Sequence, residues 1–134
     1  MHATSTFIVT AMDNTDFDPE IETALTTGHA ILRKRISGQI EGYSVAAFSS
    51  SFDPQAGLGI YVALESFTGT VAGRGGTFNF AHSAETSPEG GRGDAWFKIV
   101  TGSGTEDLAG IRGTGDIVID PDGTHHLELE YDFG

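Results

Sequence analysis

The sequence contains no cysteine. That excludes a disulfide framework, a thiol nucleophile and a Cys-ligated metal; it fits a reducing compartment, and a cytoplasmic location is the expectation. Basic residues are scarce. Seven Lys and Arg against nineteen Asp and Glu leave a formal charge of −12. Binding to nucleic acid or to an anionic bilayer depends on Lys and Arg, so neither partner is expected. The one basic run, Arg33-Lys34-Arg35, reads as a solvated strand end. No apolar stretch approaches the roughly 20 residues of a membrane helix. No basic segment precedes the short apolar patch from Phe7 to Val9, so a signal peptide is not expected. Long patterns of 3.6-residue period are missing too, which argues against crossover helices and a parallel sheet.

What is present points to strands. Nineteen glycines accompany many Thr, Val, Ile and Phe, and period-2 alternation recurs along the chain. At 134 residues one domain, 1–134, is expected. Strands are predicted near residues 2–11, 24–34, 36–50 and 58–67, with a short continuation at 68–72, then at 77–84, 94–101, 114–120 and 125–133. Gly38 and Gly42 would bend the third strand. The acidic segment from Asp13 to Glu22 is a loop, with room for one helical turn opened by Asp18 and Pro19. Asp53 to Gly57 is a turn, Glu85 to Gly93 a polar loop, and Thr105 to Leu108 a single capped helical turn. Eight or nine meandering strands without a crossover predict an all-β, antiparallel up-and-down barrel, with a β-sandwich as the alternative.

Three segments sharpen this reading. They are Phe67-Thr-Gly-Thr-Val-Ala-Gly-Arg-Gly-Gly-Thr-Phe78, the pair His82-Ser83, and Gly102-Ser-Gly-Thr-Glu-Asp-Leu-Ala-Gly-Ile-Arg-Gly113. Together with the opening His2 to Phe7 and the ending Leu129 to Phe133, they resemble a bacterial family of short uncharacterised proteins grouped with the allene-oxide-cyclase-like barrels. The resemblance spans nearly the whole chain and implies an eight-stranded antiparallel barrel. Barrels of related build include cofactor-free cyclases acting on apolar substrates. No catalytic role transfers to a matched residue.

Glu65 is the polar residue that stands out. It sits in the apolar run Leu58-Gly-Ile-Tyr-Val-Ala-Leu-Glu-Ser-Phe67, on the face of Tyr61, Ala63 and Phe67. Facing inward, it would have its pKa raised by desolvation and suit general acid–base work. Facing outward, it would pair with Arg74, Arg112 or Lys98. His82 follows Phe78 and Phe80 at strand spacing and reads either as a proton shuttle, an acid–base partner of Glu65 if both line the lumen, or as a structural hydrogen-bonding residue. Tyr43, Tyr61, Phe78, Phe80, Trp96 and Tyr131 are candidates to line a ligand pocket, or to pack the core.

No metal site is expected. His125 and His126 point to opposite faces of a strand, and His126 with Glu128 gives two ligands only. Asp16-x-Asp18-x-Glu20 lacks the turn glycine of a calcium loop, where Ile21 stands. The glycine clusters lack the helix and lysine of a phosphate loop, and Ser103 lacks a nucleophile-elbow context. No cofactor is expected.

Three functions fit these residues. One is a cofactor-free isomerase or cyclase holding a small apolar substrate in the barrel lumen. Another is a non-catalytic binder of a small hydrophobic ligand. The third is a self-assembling module, since both faces of residues 58–67 are apolar and the outer one invites a homo-oligomer.

Overall fold

The computed structural model describes residues 1–87 and 92–134. Eight antiparallel strands follow one another in chain order: β1 (His2–Asn14), β2 (Thr27–Gly38), β3 (Ile40–Asp53), β4 (Leu58–Val71), β5 (Arg74–Thr86), β6 (Arg92–Ile99), β7 (Arg112–Ile119) and β8 (His125–Asp132). Each pairs with the next, and β8 returns to pair with β1, from His2 opposite Glu130 to Phe7 opposite His125. The sheet is therefore one closed ring without a free edge, which sets aside the sandwich. The helical content of the described residues is one 3₁₀ turn, Glu106–Leu108. No helix is long and apolar enough to cross a membrane.

Several boundaries differ from expectation. The second strand runs on to Gly38 and the third starts at Ile40. Gly38, at φ +132°, turns the chain at the strand end rather than bending a strand within. Arg35 consequently lies mid-strand, opposite Tyr43. Residues 68–71 are the end of β4 rather than a separate strand, and no helical turn forms at Asp18 and Pro19. The turn at residues 105–108 forms, but Thr105 does not cap it; its Oγ1 accepts from the Thr77 amide at 3.0 Å. Of the polar loop expected at 85–93, residues 85–86 and 92–93 belong to strands, and residues 88–91 lie outside the described residues.

The two ends of the ring are unlike. At the end holding the β2–β3 and β4–β5 turns, Ile40, Val71, Ile99, Leu108 and Ile111 are wholly buried and Phe67, Phe78, Phe80 and Leu129 nearly so. The 3₁₀ turn drops Leu108 into this end as a plug. Toward the other end the inward positions Leu32, Phe48, Tyr61, Arg92 and His125 are half-buried. The pairing of β1 with β2 shifts there between Val9 and Ala11, and that of β5 with β6 between Ser83 and Glu85. Such bulges bend strands and re-aim side chains. The interior is thus tightly packed at one end and less deeply buried toward the other.

Candidate functional site

The polar residues of the interior sit where the packed core gives way to the less buried end. Alternation along β4 sends Tyr61, Ala63, Glu65 and Phe67 inward. Glu65 is 1% exposed, which rules out the outward pairing with Arg74, Arg112 or Lys98. Its partners come from both neighbouring strands and from β2, one strand further on. Lys34 Nζ on β2 donates to Oε2 at 2.8 Å, Ser44 Oγ on β3 donates to Oε1 at 2.8 Å, and His82 Nε2 on β5 hydrogen-bonds Oε2. Lys34 is buried too, its ammonium 4.9 Å from the Phe7 ring centre. The basic run is therefore not a solvated strand end. Arg33 and Arg35 face out, and Lys34 shares the inward face with Ile36 and Ala30. That alternation was the available signal for Lys34.

The Glu65 carboxyl does not behave as burial alone dictates. Desolvation pushes its pKa up, but the His82 hydrogen bond and the Lys34 ammonium outweigh it and bring it from 4.5 down to about 2. Glu65 is thus a fixed carboxylate at neutral pH, not the raised-pKa acid the sequence suggested. Because its oxygens are occupied by three donors inside a closed interior, it cannot meet a substrate itself.

The chain of contacts continues outward. On the other side of the ring, His82 Nδ1 lies 2.9 Å from the Tyr61 hydroxyl, and in the tautomer that gives Nε2–H to Glu65 this nitrogen is an acceptor. Arg92 Nη2 donates to the same hydroxyl at 2.6 Å, and Nη1 donates to the Ile117 carbonyl. His82 is 3% exposed and stacks on Phe80 and Phe97, centroids 6.0 and 5.7 Å away. Burial raises the Tyr61 pKa above 10.0 against the opposing pull of Arg92, so Tyr61 is a neutral phenol at pH 7. Register makes this zigzag possible. Directly across the strand pairs, Glu65 faces Ala46, His82 faces Ala63 and Tyr61 faces Ala84. On one flank each bulky polar group thus has an alanine opposite, which leaves room for diagonal contact, while on the other Phe80 faces Glu65 and Phe97 faces His82.

The chain belongs to DUF3224. That family, described as proteins of unknown function, matches residues 3–131. A crystal structure of a DUF3224 protein of unknown function from Shewanella oneidensis MR-1 is similar over the whole fold. Its TM-score is 0.86 and its identity 25%, with 100% of this chain and 98% of that one covered. No curated protein matches.

Of the residues singled out in this DUF3224 chain, Glu65, His82 and Tyr61 come together. Phe78, Phe80 and Tyr131 are buried in the packed core. Tyr43 and Trp96 do not line the interior; they face outward, 54% and 53% exposed. Sequence reasoning missed Lys34, Ser44 and Arg92. The last two carry no local signal, since one is an ordinary strand serine and the other sits at a strand start. His126 bonds Asp120 at 2.6 Å, and no group of three or more metal-ligating side chains forms among the described residues.

Proposed function

We propose that this DUF3224 protein is a cofactor-free proton-transfer catalyst, an isomerase or cyclase acting on a small, largely apolar carbonyl compound at the less buried end of an allene-oxide-cyclase-like barrel. One observation carries the reading: the hydrogen-bonded line Glu65–His82–Tyr61 leads from a sealed interior to a half-buried phenol beside a guanidinium. Its logic is that of a carboxylate–histidine–hydroxyl relay. Tyr61 Oη takes a proton from carbon while passing its own to His82 Nδ1. The imidazolium so formed is held by the Glu65 carboxylate, and Lys34 balances that carboxylate. Arg92 N–H groups stabilise the enolate oxygen. Return of the proton to a different atom of the substrate completes an isomerisation. Tyr61 and Arg92 are the groups that would touch substrate; His82, Glu65, Lys34 and Ser44 position them.

The test is deuterium incorporation, in D₂O, into a panel of small cyclic enones followed by proton NMR. The native protein is expected to accelerate exchange of at least one compound. Tyr61→Phe should lower that rate by about 10²–10⁴-fold, the usual contribution of general acid–base catalysis, with an unchanged far-UV spectrum. An enone that shifts resonances of the less buried end yet exchanges no faster than in buffer would turn the reading to a non-catalytic binder.

A further inference from the structure

We infer that the outer face of β4 is the interface of a symmetric dimer and that its occupant is the same face of a second copy of this chain. This face lies outside the ring and shares no residue with the interior relay. Leu58, Ile60, Val62 and Leu64 alternate outward along β4 and are 49–56% exposed. The pairings place Ala47 and Ser49 of β3 beside them on one flank and Ala81 and Ser83 of β5 on the other. Trp96 of β6 lies outward next to Ser83 and extends the face. This is a contiguous apolar surface of the kind that marks association.

Its size suits a second copy. The whole outer face of β4, apolar from Leu58 to Leu64 and hydroxylic at Ser66, Thr68 and Thr70, is fourteen residues long; at ~3.3 Å each, with three strands at ~4.8 Å, it spans roughly 45 by 15 Å. With Trp96 added, that approaches the ~800 Å² per partner of an ordinary specific interface. The surface is not a ring edge, so face-to-face packing of the two sheets at about 10 Å is the available mode.

Charge chooses the partner. On β3 and β5 the outward positions level with Val62 to Thr68 are Tyr43, Val45, Ala47 and Ser49, then Thr77, Asn79, Ala81 and Ser83; none is charged. Charge returns at Glu85, directly beside Ile60, and at Lys98, beside Ala81. Across the ring, β8 presents Glu128, Glu130 and Asp132 outward. Two copies carrying −12 each repel one another in most orientations. Apposing the β4 faces brings neutral surfaces together and leaves the two β8 faces on opposite outer sides. A twofold axis near Val62 and Leu64 satisfies both copies at once, as an isologous contact requires.

Sedimentation equilibrium of the full chain tests this. The expected mass is twice the 14.1 kDa of one chain, and association should tighten as added NaCl screens the like charges. The double variant Val62→Glu/Leu64→Glu should sediment as one chain, whereas Ile8→Glu on β1 should not change the mass. Should the double variant fold poorly, Val62→Cys in this cysteine-free chain provides a second reading. A short bis-maleimide should then join two copies in high yield, while Thr4→Cys, also exposed on β1, should not. A native mass of one chain at about 100 µM, a dimer that survives the double variant, or equal cross-linking at both cysteines would overturn the inference.

Discussion

Glu65 shows how a single position can reverse the simplest physical expectation. Burial without partners raises a carboxyl pKa; burial among an ammonium, a hydroxyl and an imidazole lowers it. The fall from 4.5 to about 2 corresponds to stability on the order of 3 kcal/mol. Since the folded pKa is depressed, this stabilisation is complete above pH 4.5 and is lost as pH falls toward 2. Thermal unfolding between those values should steepen for the native protein relative to Glu65→Gln, which has no such titration. Equal slopes would show that the carboxylate is not held as described. The same residue shows what the sequence made legible. An acid in an apolar strand is visible as an anomaly, and period-2 alternation places it with Tyr61. Its partners are not visible, because Lys34, Ser44 and His82 reach it through register, and register is set by turns whose exact positions the sequence leaves open.

At the scale of the element, the strands were legible by alternation and their ends were not. Glycine is the reason. The same residue type ends β2 at Gly38 and lies inside β3 at Gly42 and inside β4 at Gly69, with φ of +132°, +147° and +152°. Gly42 and Gly69 pair directly, and their backbones approach so closely that a side chain does not fit. A Cβ on Gly69 would lie 2.0 Å from the Glu41 carbonyl oxygen, and one on Gly42 would lie 2.1 Å from that of Thr68. Neither obstacle is a mobile side chain. Gly69→Ala should therefore cost more than the ~1 kcal/mol of an ordinary unfavourable backbone substitution, read as a lower urea midpoint. Gly73→Ala, where a Cβ meets nothing within 4 Å although φ is +84°, should cost less. If the two variants unfold at the same midpoint, close approach is not what fixes glycine at position 69.

For the whole molecule, closure of the ring was foreseeable from the number of strands and the absence of crossovers, but the split between a packed end and a less buried one was not. That split depends on which inward positions are large and which are alanine at each level, and levels are a property of the closed ring rather than of any one strand. Closure also concentrates charge. The chain carries −12, and its surface ion pairs, such as Arg33 with Asp13 and Arg112 with Asp132, are too exposed to contribute much. Self-repulsion among the remaining carboxylates should then exceed the attraction that salt would screen. Raising NaCl from about 20 to 500 mM should raise the melting temperature by a few degrees at pH 7. The rise should persist in Val62→Glu/Leu64→Glu, because it originates within one chain and needs no second copy. A melting temperature that falls with salt in that variant would mean that favourable ion pairs dominate the surface. A rise confined to the native protein would mean that salt acts only by joining two copies.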